Sequence, residues 1–127
     1  MLFSNSKNTK DQGNIGLSAA IHWFVSNGYT VSLPLNDSQD YDLIVDINDT
    51  LSRIQIKTTK YKVRDSYRVC LKSSGGTKGK IYKQVVNTKI EYLFVLTEIG
   101  EMYLIPFSDI TQKSELTLSK YLMFKIC

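Results

Sequence analysis

YDLIVDINDTLSRIQIKTT, running from Tyr41 to Thr59, is the stretch that decides the fold. Two alternating runs, Tyr41 to Ile47 and Thr50 to Thr59, flank the turn-forming pair Asn48-Asp49, and together they predict an antiparallel hairpin. In the first run Tyr41, Leu43, Val45 and Ile47 share one face, while Asp42, Ile44 and Asp46 share the other. In the second, Ile54, Ile56 and Thr58 share a face, opposite to Arg53, Gln55, Lys57 and Thr59. A two-residue loop sets Asp42 directly across from Gln55; a four-residue loop sets it across from Lys57. Either even-length loop gathers Asp42, Gln55 and Lys57 on one face, and only an odd loop without a bulge separates them.

Side chains opposed in this way have Cβ atoms about 4.5–5.5 Å apart. An aspartate carboxylate and a glutamine carbonyl at that separation can share one hard divalent cation. Lys57, two positions along, can stabilise developing negative charge or orient an attacking water. The trio is a candidate phosphodiester-cleaving site. The same alternation also describes any half-exposed strand, so spacing alone does not decide between the two readings.

Charge mapping shifts the balance toward a DNA-binding site, more firmly for binding than for cleavage. The chain has 127 residues with 16 Lys+Arg against 12 Asp+Glu, a net +4. That small balance hides five acids and no base over residues 36–52, followed by eleven bases and one acid over residues 53–89. Arg53, Lys60, Lys62, Arg64, Arg68, Lys72, Lys78, Lys80 and Lys83, interleaved with Tyr61, Tyr67 and Tyr82, are candidates to follow a phosphate backbone. The basic run begins at the candidate site.

Working outward, Asp11 or Asn14 is a candidate cap for a helix extending to about Asn27 and stopped by Gly28. Leu17, Ala20, Ile21 and Phe24 form its buried stripe. Strands are expected at Tyr29 to Leu33, Ser66 to Lys72, Ile81 to Val86, Tyr92 to Thr97 and Met102 to Ile105, with a glycine- and lysine-rich loop before Ile81. The whole reads as one α+β domain over residues 1–127, with a mixed β-sheet and residues 1–12 expected to be loose. Hydrophobic residues, at 43%, suffice for a real core.

Several classes are excluded. No run of about eighteen apolar residues exists to cross a membrane, and Met1 to Gln12 lacks the apolar core of a signal peptide. Two cysteines, Cys70 and Cys127, and one histidine, His22, supply too few ligands for a zinc site; the low cysteine count suits a reducing, cytoplasmic setting. Ser73 to Ile81 fails as a phosphate-binding loop, because Ser74 replaces its first glycine and Ile81 its metal-holding hydroxyl. His22 reads as a surface or partly buried helix residue, Trp23 and Phe24 as core, and Glu91, ahead of a strand, as a solvated charge.

Gly13-Asn14-Ile15-Gly16, Gly28-Tyr29-Thr30-Val31, Pro34, Tyr41-Asp42-Leu43-Ile44-Val45 and Arg53-Ile54-Gln55-Ile56-Lys57-Thr58 together resemble the PD-(D/E)XK endonucleases. The likeness is to a small branch with a Gln-X-Lys motif that contains a cyanobacterial group I intron homing endonuclease. It continues through Lys89-Ile90-Glu91-Tyr92 and Met102-Tyr103-Leu104-Ile105-Pro106. The resemblance implies a restriction-endonuclease-like αβββαβ-type core, Mg²⁺-dependent cleavage of DNA (Mn²⁺ as a substitute) and a homodimer or homotetramer. It further implies that Asp42 and Gln55 are metal ligands and that Lys57 is the catalytic lysine.

One position departs from the pattern. Where such nucleases often carry a glutamate on the first helix, this chain has Leu17. With Asp42 and Lys57 cancelling and Gln55 neutral, the site has a formal charge near zero, so it should bind Mg²⁺ poorly until a DNA phosphate supplies the missing anion. Asp46, on the same strand face, is a candidate replacement ligand, and Asp40 another. Three readings follow: a metal-dependent endodeoxyribonuclease of homing or resolvase type acting on double-stranded or branched DNA, a nuclease-fold DNA-binding protein impaired by Leu17, and an oligomerising module that does not bind DNA. A DNA-bound cytoplasmic protein would associate with the nucleoid.

Overall fold

The computed structural model describes residues 1–75, 81–84 and 89–127; the side chains of 72–75 and 81–84 are left aside. Helix α1, Thr9–Ser26, is followed by strands β1 (Thr30–Ser32), β2 (Leu43–Ile47), β3 (Thr50–Thr59), β4 (Lys62–Val63), β5 (Ser66–Cys70), β6 (Lys72–Gly75), β7 (Ile81–Gln84), β8 (Tyr92–Thr97), β9 (Met102–Pro106) and β10 (Glu115–Thr117). Short 3-10 turns cover Phe107–Asp109 and Leu118–Phe124.

The helix begins earlier than its apolar stripe suggests. Its cap is Asn8, not Asp11 or Asn14: the Asn8 side chain accepts from Asp11 N at 2.9 Å, and Asp11 Oδ2 accepts from Lys7 N at 3.1 Å. This reciprocal arrangement satisfies one first-turn amide of the helix and the Lys7 amide just before its cap. Residues 1–12, expected to be loose, are tied down. Phe3 is buried, Leu2 N donates to Glu98 O at 2.9 Å, and residues 9–12 are helical. Gly28, at φ 88°, ends the helix in the left-handed conformation that glycine adopts without steric cost.

A five-stranded mixed sheet, ordered β1-β2-β3-β8-β9, organises the molecule. All neighbours are antiparallel except β3 and β8, which run parallel from Ile54↔Tyr92 to Thr59↔Thr97. The β2–β3 loop has two residues, with Ile47 paired to Thr50 and Leu43 to Ile54. Asn48 and Asp49 both have positive φ, 53° and 64°, the conformation of a two-residue hairpin turn matched to strand twist.

The sheet is covered on both sides. On one face α1 lays Ala20 and Phe24 against Leu43, Val45, Ile54, Phe94 and Leu96. On the other, Leu93, Val95, Tyr103 and Ile105 pack with Tyr67, Val69, Leu71 and Leu116 from the small β10-β5-β4 sheet and the loop beyond it. Strand β8 contributes alternate residues to both layers, which is why YLFVLT is an almost unbroken apolar run. The α+β class with a mixed sheet is therefore the architecture observed. Between β3 and β8, where the αβββαβ pattern places its second helix, the described residues form the short strands β4 to β7 and no α-helix. Most of the glycine- and lysine-rich loop lies outside the described residues. Among the described residues no helix is long and apolar enough to cross a membrane.

Candidate active site

The β2–β3 ladder stops short. Its last bond runs from Asp42 N to Ile54 O at 2.8 Å, after which β2 turns away while β3 continues to Thr59. A cleft of about 610 Å³ opens there, between the first turns of α1, the residue 33–41 loop and the exposed flank of β3. Its walls carry Asp42 and Lys57 together with Leu17, Gln12, Asp37 and Gln39.

Asp42 sits where the two strands part, and its Oδ2 accepts from Ile56 N at 2.8 Å. The carboxylate thus satisfies an amide that β2 no longer reaches. Desolvation by the cleft walls raises the Asp42 pKa above the usual carboxylate range, while the Ile56 hydrogen bond and the Lys57 cation pull it back down. The register, continued one step past Leu43↔Ile54, sets Asp42 across from Gln55.

Gln55 is only 9% exposed. Its Nε2 donates to the Asp40 carbonyl at 3.1 Å, which fixes the amide's orientation, because the reversed amide would set two oxygens against each other. Its Oε1 is buried and has no hydrogen-bond partner among the described residues. A buried carbonyl left without a donor costs about 1–3 kcal/mol, so such an oxygen calls for a partner, an ordered water or a cation. Beside a carboxylate, it is a hard-oxygen donor suited to Mg²⁺ or Mn²⁺.

Other candidates are distributed differently. Asp46 pairs with Leu51 and Thr30 well inside the sheet, four residues from Asp42. At about 3.3 Å per residue that is roughly 13 Å along the strand, too far for the two carboxylates to share one ion. Among the described residues no three His, Cys, Asp or Glu side chains form a metal cluster. Asp42 and Lys57 line the cleft while Gln55 lies buried behind it, and Leu17 stands in the cleft wall on the helix side.

The basic run divides as well. Arg53 Nη1 pairs with Glu91 Oε1 and donates to Lys89 O, both at 3.3 Å, and Arg53 N donates to Glu91 Oε2 at 3.1 Å. That resolves Glu91: it braces the β3–β8 junction. Arg68 pairs with Glu115 at 3.0 Å. Both arginines are thus built into the framework of the fold. Lys60, Lys62 and Arg64 are exposed, with Tyr61, on the segment that leaves β3 and turns back at Arg64-Asp65. Tyr67 is buried, and Lys62 Nζ lies 5.3 Å from its ring centroid. The side chains of Lys72, Lys78, Lys80, Tyr82 and Lys83 lie outside the described set. His22 is exposed and Phe24 is core, as the sequence suggests.

Gln12, Asp37 and Gln39 were not singled out from sequence. They reach the cleft because a polar first helical turn and an irregular loop fold over it, and no local periodicity announces that. A truncated sheet ladder with an acid at the fork and a lysine on the longer strand describes a nuclease fold. The family model described as PD-(D/E)XK endonuclease matches residues 7–121, and the chain belongs to that family. Among solved structures it is similar to a bacterial homing endonuclease, I-Ssp6803I, with 24% identity and a TM-score of 0.69 over 87% of this chain and 75% of that one. At that identity the likeness establishes the shared fold. No curated protein matches the sequence.

Proposed function

We propose that the protein is a metal-dependent endodeoxyribonuclease whose site is Asp42, Gln55 and Lys57. The observation carrying this reading is the orphaned, buried Gln55 Oε1 across from a carboxylate whose neighbour in the cleft is a lysine. Asp42 and Gln55 would hold Mg²⁺, or Mn²⁺ in its place. A bound ion would polarise a phosphodiester and acidify a water. Lys57 places a fixed positive charge in the cleft, where negative charge develops on a phosphate undergoing attack. Desolvation disfavours the ionised form of Asp42, the Ile56 hydrogen bond and the Lys57 cation favour it, and the Ile56 bond keeps the carboxylate oriented.

The donor set has one negative charge, offset by Lys57. Metal and DNA should therefore bind together, with the phosphate supplying the missing anion. Lys60, Lys62, Arg64 and Tyr61 form an exposed surface suited to the flanking backbone of double-stranded or branched DNA. Cutting both strands with one site per chain favours a homodimer or homotetramer. A cytoplasmic, nucleoid-associated setting and no membrane contact fit this chemistry. Supercoiled plasmid incubated with Mg²⁺ or Mn²⁺ tests the reading directly: nicked and linear DNA should form with the native protein and not with Lys57→Ala, a variant that also reports contaminating nucleases.

A second reading has its own observation. Leu17, half-buried in the cleft wall, removes a carboxylate from the helix side. On that basis the protein would bind DNA without cutting it. Salt-sensitive DNA binding without cleavage in either metal would select this reading, and the absence of any salt-sensitive binding would select a module that does not use DNA.

A further inference from the structure

Lys57 stands on a stretch of β3 whose β2-side flank no strand pairs among the described residues. The ladder to β2 ends at Leu43↔Ile54, whereas β3 runs on to Thr59 and is there paired with β8 on its other side. Two side chains brace this segment, one through the backbone and one through the side chain of a neighbour of Lys57. Asp42 Oδ2 accepts from Ile56 N at 2.8 Å, and Gln12 Nε2, from the first turn of α1, donates to Thr58 Oγ1 at 2.9 Å.

These two brackets are not equivalent. Asp42 is the proposed metal ligand, and an oxygen drawn toward a cation is a poorer acceptor for the Ile56 amide. Gln12 is uncharged, so its hold on Thr58 persists whatever occupies the cleft. The close approach that lets it reach comes from Gly16, one turn further along the helix. A Cβ there would stand 2.5 Å from Thr58 Cγ2 and 3.2 Å from Ile56 Cγ2.

We propose that Gln12 is a positioning residue for Lys57, its bond to Thr58 fixing the free segment of β3 that presents the lysine to the cleft. The effect on rate rests on the nuclease reading above; the effect on Lys57 order does not. The test uses the full-length chain with Gln12→Ala, Thr58→Val, which removes the acceptor, and Thr58→Ser, which keeps it. Three quantities are measured: single-turnover plasmid cleavage, DNA affinity in Ca²⁺, and NMR relaxation of the Lys57 ¹³Cε without DNA. Gln12→Ala and Thr58→Val should each slow cleavage on the order of tenfold at unchanged DNA affinity, and the double variant should be no slower than either. Both should loosen Lys57, and Thr58→Ser should resemble the native protein in every measurement. Equal Lys57 order in the native protein, Gln12→Ala and Thr58→Val overturns the proposal, as does loosening with no loss of rate in an active enzyme. Should the native protein not cleave while Lys57 loosens in both variants, the positioning role stands and the nuclease reading falls.

Discussion

Gly16→Ala puts a methyl group into the tightest helix–sheet contact near the cleft. The added Cβ would lie 2.5 Å from Thr58 Cγ2, where carbon atoms normally rest about 3.5–4.0 Å apart, so helix and strand must separate by roughly 1 Å. Thr58 cannot easily turn aside, because its β-branched side chain is stiff and its Oγ1 is held by Gln12 at 2.9 Å. Overpacking of this kind costs about 1–3 kcal/mol, and breaking the hydrogen bond adds about 0.5–1.5 kcal/mol. Alanine recovers about 1 kcal/mol of helix propensity. The net expectation is a loss of about 2 kcal/mol, or roughly 6–10 °C in Tm for a domain of this size. Thermal and urea denaturation followed by circular dichroism would measure it. The decisive comparison is the same substitution in a Thr58→Ser background, which lacks Cγ2 and keeps the hydroxyl. There the nearest contact is Ile56 Cγ2 at 3.2 Å, and Gly16→Ala should cost under about 1 kcal/mol. An unchanged Tm for Gly16→Ala, or an equal loss in both backgrounds, would refute the reasoning.

Asp42→Asn should raise Tm at neutral pH. A carboxyl whose pKa is raised on folding contributes its full stability below the ordinary value near ~3.9 and loses it as pH climbs through the folded value, so the gain should shrink toward acid pH. Leu17→Glu should increase cleavage and tighten Mg²⁺ binding if the missing carboxylate limits the site; calorimetry reads the second effect independently of turnover, and a fall in Tm would report the cost of burying the charge. Calorimetry on the native chain should find weak Mg²⁺ binding without DNA, and tight binding there would contradict the coupling of metal to phosphate. Replacing Lys60, Lys62 and Arg64 together by alanine should flatten the salt dependence of DNA binding by about two to three units of logarithmic slope. Arg68→Gln should leave that slope nearly unchanged, because Arg68 is paired with Glu115.

How much of this was legible in the sequence depended on how local the cause was. Strands β3 and β8 were readable to the residue, since each is an uninterrupted run bounded by turn residues. The side-chain period of two and the Asn48-Asp49 turn made the facing of Asp42, Gln55 and Lys57 readable as well. The cap at Asn8 was hidden, because the first turns of α1 are polar where they border the cleft and the apolar stripe begins only at Leu17. Asp46 shares the correct face, yet face alone ignores distance along the strand. Charge counting could not show that Arg53 and Arg68, read as candidates for DNA contact, have the acidic partners Glu91 and Glu115, which lie 38 and 47 residues away and meet them only in the folded chain. Gln12 and the residue 33–41 loop gave no periodic signal, so their place at the site came from tertiary structure.

The unpaired flank of β3 has a consequence for the solution behaviour of the protein. An open strand edge is a template on which another chain can add a strand, the usual beginning of misassembly. On the proposed nuclease reading, the same backbone must stay uncovered for a nucleic acid to approach. Lys57 and Asp42 reconcile the two demands: charges standing on an exposed edge repel an incoming apolar strand yet can receive a phosphate. Variants that neutralise both should therefore self-associate more readily as well as lose chemistry, and light scattering should accompany every activity measurement on them.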